Sequence, residues 1–277
     1  MTDPTGRSFL SYRRTRLDEA RLLIEAQHDV GIPTWQDLSE LDEGHTDALL
    51  REALAAEATA NAVCWFTPDV EKSDVIFIGV KPAMVLPVLS ELKVHLGNKL
   101  VISLAGGVRI STMEKTGNAR FMRALTNTPS TICRAATGVA RGSRTTTDDV
   151  DLARKIFGAI GVVVEVKEEE IDAVTALSGS GPAFVYTVIE ALAAGGTKMG
   201  LSAEVALTLA AQTVLGAAQL MIESKMSPEE LRRMVVTPGG TTAAGLATME
   251  KLGTSESLIA AVEAATKRGQ EMAKENQ

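Results

Sequence analysis

The chain has 277 residues, of which 45% are hydrophobic and 23% charged, with a formal net charge of −7. That length suffices for one large or two modest domains with a sizeable core. The acidic balance lacks the basic footprint of a nucleic-acid binder, so neither DNA nor RNA is expected as a partner.

Aromatic residues make up only 4% of the chain while glycines number 23, which favours close helix packing through small side chains. Cys64 and Cys133 lie far apart and have no metal-ligand spacing. No metal site and no disulfide framework are expected, and a reduced, cytoplasmic compartment fits. The histidines, His28, His45 and His95, all fall in the first third. The start, MTDPTGRSF, is polar and does not resemble a signal peptide.

In chain order, 9–12 (FLSY) is a short strand-like run. Residues 17–30 carry apolar positions at helical spacing up to Gly31, a C-cap candidate. Residues 32–35 read as a second strand, 36–45 as an acidic loop, 46–60 as an alanine-rich helix and 62–66 as a third strand. This alternation is that of a parallel-sheet layer. FLSYRR at 9–14, GIPTWQDLSELDEG at 31–44 and AVCWFTPD at 62–69 resemble the front half of a bacterial-type TIR domain. NAD-cleaving members of that family use a glutamate on the helix after the third strand. Here SDVIFIGVKP occupies that place as a strand, and Glu71 lies too near the strand end. NAD hydrolysis is therefore not carried over.

From Ser73 the character changes. Residues 75–80 form a fully apolar strand ended by Lys81-Pro82, 83–96 a helix, and 100–104 a buried strand followed by Ala105-Gly106-Gly107. Residues 120–124 read as a strand with the loop Thr126-Asn127-Thr128-Pro129 after it, 148–160 as a helix with an acidic start, and 162–166 as a strand. Continuous apolar strands between helices indicate a parallel sheet covered on both faces. Ligands sit at the C-terminal ends of such strands, which puts Lys81-Pro82, Ala105-Gly106 and 126–129 on one rim. Short turns without a ligand fit the same spacing.

From Glu168 the pattern is helical. Glu168-Glu169-Glu170 reads as a solvated helix start. Ile171, Val174 and Leu177 mark one stripe, Ser178-Gly179-Ser180-Gly181-Pro182 interrupts it, and a second apolar run reaches Gly195-Gly196. That interruption serves either close helix packing or a ligand rim. Residues 201–222 are the most apolar stretch. Glu204, Thr208, Gln212, Gln219 and Glu223 share one stripe, which favours an amphipathic helix over a membrane span. The apolar excess of 184–222 exceeds what one small domain covers, so a homo-oligomer, at least a dimer, is expected. Ser227-Pro228-Glu229-Glu230 is a helix-start signal with a capping box, and the last helix begins near 254.

In TPGGTT at 237–242, Pro238 ends one helix, while Gly239 and Gly240 permit positive φ or close approach. Thr241 and Thr242 open the next helix. Free N–H groups at a helix start attract an anion. With no Arg or Lys in the loop, a small carboxylate suits it better than a phosphate. A plain turn with a threonine N-cap fits the same residues. No strand–G-x-G-x-x-G–helix fingerprint and no P-loop occurs.

From Ser73 to the C-terminus the chain closely resembles pyrroline-5-carboxylate reductase. The matching strings are SDVIFIGVKP, VISLAGGV, TNTP, DAVTALSGSGPAF, ALAAGGTKMGL, QTVLGAA and TPGGTT. Ala176 and Thr237 replace the family's usual Gly and Ser, and the family's opening glycine turn is replaced by the TIR-like front. The resemblance implies an α/β fold, with an N-terminal Rossmann-like domain followed by an all-helical dimerisation domain. The expected divisions are 1–72 (TIR-like front), 73–167 (remainder of the cofactor domain) and 168–277 (helical substrate and dimerisation domain). It also implies reduction of 1-pyrroline-5-carboxylate to L-proline with NADPH or NADH. Carried over, Val80, Lys81 and Pro82 lie beside the nicotinamide, with Ala105 and Gly106 across from them and Asn127 on the same rim. Gly240, Thr241 and Thr242 hold the substrate carboxylate through backbone amides, and Thr242 hydrogen-bonds the imine nitrogen. A second reading makes the chain an oligomeric scaffold with a TIR-like interaction module, and a weaker third a TIR-type NAD hydrolase.

Overall fold

The computed structural model of the chain describes residues 7–11, 34–35 and 73–275. The expected helices at 17–30 and 46–60 and the strand at 62–66 lie outside the described residues. Among the described residues, one sheet has the order β2-β1-β3-β4-β5-β6-β7. Its strands are β1 (Arg7–Ser11), β2 (Thr34–Trp35), β3 (Ser73–Ile78), β4 (Leu100–Ser103), β5 (Arg120–Leu125), β6 (Ala135–Arg141) and β7 (Gly161–Glu165). The strands read at 9–12, 32–35, 75–80, 100–104, 120–124 and 162–166 all appear, with ends shifted by a few residues.

Pairing from β2 through β5 is parallel, as the apolar runs predict. The expectation of a wholly parallel sheet fails at β6, which runs antiparallel to β5 before pairing in parallel with β7. A parallel return needs a crossover of about a dozen residues or more. The link from Leu125 to Ala135 holds only the short 3₁₀ turn Thr128–Ile132, so the chain must reverse. β6 itself, AATGVAR, carries small residues and gives little strand signal.

Both faces of the sheet are covered because its strands alternate sides with a period of two. Ile76 and Ile78 join Val85, Val88, Leu89, Leu92 and Leu96 of α1 (Pro82–Leu96) in one core. Val75 and Phe77 join Val150, Ala153, Ile156 and Phe157 of α3 (Thr147–Gly158) in the other. Phe77 and Phe157 meet edge to face at 6.1 Å, a favoured aromatic geometry. Between them in sequence lies the short helix α2 (Ile110–Met113). The acidic start of α3 is a full capping box. Thr146 Oγ1 accepts from the Asp149 N–H, and Asp149 accepts from the Thr146 N–H at 2.9 Å.

After β7 come α4 (Ile171–Val174), a π-turn (Thr175–Gly179), α5 (Gly181–Lys198), α6 (Ala203–Ser224), α7 (Pro228–Val235), α8 (Thr241–Lys251) and α9 (Thr254–Glu275). By tertiary contacts, the described residues up to Ser180 together with those from Ala265 form one compact unit, and Gly181–Ala264 the other. In the second unit α5 and α6 approach through small residues. A Cβ on Gly196 would lie 3.2 Å from Ala206 Cβ, and Ala206 and Ala210 are buried. The outer side of this pair is apolar. Leu192, Leu207, Leu209, Leu215 and Leu220 are each more than half exposed on the single chain. By length and composition alone α6 is long and apolar enough to cross a membrane.

Candidate active site

The loops expected to form one rim follow adjacent strands. Gly79-Val80-Lys81 leaves β3, Leu104-Ala105-Gly106 leaves β4 and Thr126-Asn127 leaves β5. These three strands are parallel neighbours, so the topology brings their C-terminal ends to one edge. Val80 and Ala105 are buried while Lys81 is exposed, giving an apolar wall with a cation beside it. Lys81 is the N-cap of α1 and Pro82 its first residue, as expected for a proline whose missing N–H has no helical use there. The Leu104 N–H donates to the Ile78 carbonyl at 2.8 Å, which locks the first two loops together. A Cβ on Gly106 would meet nothing within 4 Å, whereas Gly107 has φ +70 and a Cβ there would lie 3.1 Å from Met272 Cβ on α9.

Asn127 is tied down. Its Nδ2 donates to the Ser178 carbonyl at 3.1 Å, and its Oδ1 accepts from the Ala136 N–H at 3.0 Å. Beside it Thr126 and Thr137 share a hydroxyl–hydroxyl bond of 3.0 Å.

In the second unit, the 237–242 stretch folds as its residues dictate. The Gly240 N–H donates to the Thr237 carbonyl at 3.0 Å, and Gly239 has φ +72. Pro at the second place and a positive-φ Gly at the third make this a type II turn. Gly240 has an ordinary φ of −77, and the position is tight: a Cβ there would press on the Thr237 hydroxyl and lie 3.1 Å from the Thr237 carbonyl oxygen. Gly240 is also the N-cap of α8, which starts at Thr241 with no side-chain cap and no acid in its first turn. The expected threonine N-cap is thus not formed. By contrast, α3 and α7 each have a capping box and acids in the first turn. Like α1 and α2, α8 leaves its first-turn N–H groups without a side-chain cap or an acid against its positive dipole end.

A charged cluster inside the first unit escaped sequence reading. Arg123 on β5 is fully buried, and its Nη1 lies 3.6 Å from Glu168 Oε1. That distance makes an ion pair too long for a hydrogen bond. Burial pushes the Arg123 guanidinium below its usual range, while the Glu168 and Asp172 carboxylates pull it back up. Asp172, with its side chain 2% exposed, pairs with Arg109 Nη2 at 2.6 Å. Glu168 also accepts from the Ile110 N–H at 2.5 Å. Glu168 is therefore only partly exposed and structurally engaged, not merely a solvated helix start. These partners lie about 45 to 63 residues apart in sequence, and no local pattern announces such a pairing. The cluster flanks an open cavity of about 680 Å³ lined by Ile110, Glu114, Arg141 and Glu165, among others. Among the described residues, Cys133 is free and exposed, and no group of side chains could hold a metal ion.

Comparison with known proteins shows the family. The chain is 44% identical over 220 residues to a pyrroline-5-carboxylate reductase of Methanosarcina acetivorans, covering 78% of this chain and 80% of the relative. The chain belongs to the pyrroline-5-carboxylate reductase family. The Arabidopsis thaliana pyrroline-5-carboxylate reductase is 42% identical over 205 residues, 73% of this chain and 74% of the relative. Residues 168–272 match the family model described as pyrroline-5-carboxylate reductase dimerisation, which begins where the sequence turns helical. Residues 45–107 match the model of an NADP oxidoreductase, coenzyme F420-dependent, a match that runs across the change of character at Ser73. The solved Coxiella burnetii reductase superposes with a TM-score of 0.79 at 31% identity, over 98% of this chain and 99% of that one. A pyrroline carboxylate reductase from Plasmodium falciparum, solved with NADP bound, gives 0.76 at 26% identity, over 99% and 100%. The fold is that of the reductase family: a Rossmann-like sheet domain followed by a helical dimerisation domain.

Proposed function

We propose that this reductase-family chain converts 1-pyrroline-5-carboxylate to L-proline with a nicotinamide dinucleotide as reductant. The observation that carries the reading is the Gly240 helix start. Its backbone donors are preorganised, it lacks a side-chain cap, and it stands behind a turn whose positive φ at Gly239 favours glycine. Gly240, Thr241 and Thr242 present amides to the substrate carboxylate. The Thr242 hydroxyl hydrogen-bonds the imine nitrogen and so makes the adjacent carbon a better hydride acceptor.

The rim of the first unit suits the nicotinamide end of the cofactor. Buried Val80 and Ala105 give an apolar wall, Gly106 leaves open space, and Lys81 supplies a cation for a phosphate. Pro82 fixes the loop after β3, and Asn127 stands on the same rim. Bound there, NADPH or NADH supplies the hydride. The match of 45–107 to an NADP oxidoreductase favours NADPH and favours reading the front of the chain as part of the cofactor domain. The likeness of residues 8–70 to a TIR domain rests on the FLSYRR, GIPTWQDLSELDEG and AVCWFTPD strings, and an interaction role for that front is a second proposal. The exposed leucines of α5 and α6, together with the dimerisation match, support a homo-oligomer of at least two copies.

The test follows NADPH absorbance with added pyrroline-5-carboxylate for wild type and Thr242→Ala. Turnover by the wild type and a loss of roughly a hundredfold in Thr242→Ala are expected, as for removal of a donor at a reacting centre. A folded wild-type protein that oxidises no NADPH would sink the reading.

A further inference from the structure

The S-G-S-G-P run sits where the helix changes type. Residues Thr175–Gly179 form a π-turn, with the Ser180 N–H donating to the Thr175 carbonyl at 2.9 Å. Such turns are rare and cluster at functional sites. This one also has an unpaired carbonyl built in. The α-helical partner of the Ser178 carbonyl would be the N–H of residue 182, and Pro182 has none.

The missing donor comes from elsewhere. Asn127 Nδ2 reaches the Ser178 carbonyl at 3.1 Å, and the same side chain accepts from Ala136 on β6 at 3.0 Å. The turn is also pressed onto β6. A Cβ on Gly138 would lie 2.6 Å from Cγ1 of Val174, the residue before the turn. Just beyond the turn, at Ser180 and Gly181, the chain passes from the first unit into the one carrying Gly240–Thr242.

We propose that Asn127 is a positioning residue for the substrate step: it supplies the donor that Pro182 removes, and so seats the π-turn from which the substrate-binding unit departs. This rests on the reductase reading above. Asn127 then serves the rim through its hold on Ser178, and not chiefly as a contact to the cofactor.

The test compares Asn127→Asp, which keeps the shape and the acceptor for Ala136 but loses the donor, with wild-type protein in its natural assembly. Three readouts are needed: hydrogen exchange of the peptide spanning 176–183, NADPH affinity by fluorescence titration, and kcat and KM for pyrroline-5-carboxylate. We expect exchange in 176–183 to accelerate and kcat/KM to fall, each roughly tenfold, about the worth of one hydrogen bond. NADPH affinity should fall clearly less than kcat/KM, because Val80, Lys81, Ala105 and Gly106 are unchanged. Pro182→Ala restores an N–H to the Ser178 carbonyl, so in that background Asn127→Asp should lose most of its effect, which also covers a poorly folding single variant. Unchanged exchange, unchanged kcat/KM, a parallel loss of NADPH affinity, or no coupling to Pro182 would each overturn the proposal. If the wild type fails to turn over, the reductase reading fails, while the exchange measurement still reports on the latch itself.

Discussion

Replacing Asp172 by alanine tests the buried charge cluster. The Asp172 carboxylate is 2% exposed and 2.6 Å from Arg109 Nη2, and it is one of two carboxylates that offset the fully buried Arg123. Removing one partner of a buried pair costs about 3–5 kcal/mol, mostly because the other charge is left uncompensated. Arg109 is 23% exposed on its side chain and can turn towards water, which pulls the cost to the lower end. Arg123 cannot, and it keeps only Glu168 at 3.6 Å. We therefore expect a loss of about 3 kcal/mol. In urea that is a midpoint lower by roughly 1 M or more, measured at one fixed protein concentration because assembly shifts apparent stability. The double variant Arg109→Leu/Asp172→Leu should recover part of the loss, since it also removes the like charge of Arg109 beside Arg123 and leaves Arg123 balanced against Glu168. A loss under about 1 kcal/mol for Asp172→Ala, or a double variant no better than the single, would refute the reasoning.

Gly138→Ala forces a Cβ to within 2.6 Å of Val174 Cγ1. It should cost about 1–3 kcal/mol, with relief in Gly138→Ala/Val174→Ala; equal stabilities in denaturant melts would contradict the packing. Leu215→Glu puts a charge on the apolar side of α6, where Leu215 is 57% exposed on the single chain, and should shift sedimentation towards a smaller species. An unchanged assembly would show that this face is not the covered one. The Glu230 carboxyl is held below its usual range by hydrogen bonds from the Ser227 backbone and side chain. Because its folded value is depressed, the contribution is present above the unfolded value and lost as pH falls through the folded one. Amide protection in the first turn of α7 should therefore drop on acidification below the ordinary carboxylate range. Glu230→Gln should flatten that dependence, and the same pH profile in both proteins would remove the cause we assign.

The residues that announced themselves did so through local chemistry. Pro82, Pro182 and Pro228 each stand in the first turn of a helix, Ser227 with Glu230 forms the expected capping box, and Pro238-Gly239 makes the turn that precedes α8. The apolar strands 75–78 and 100–103 were plain because strands buried on both faces need no polar alternation. β6 was illegible for the opposite reason. Its small residues give little strand signal, and at Gly138 the reason for a small residue is Val174, a partner distant in sequence.

By itself, then, the sequence determined the helical half, the glycine turn at 237–240 and the strand ends that bound the rim, since each depends on φ, caps or periodicity within a few residues. Only the tertiary structure decided which way β6 runs, that Arg109, Arg123, Glu168 and Asp172 neutralise one another, and that Asn127 belongs to Ser178. Those are pairings between segments tens of residues apart. Their energy depends on distance and burial, which no run of neighbouring residues encodes.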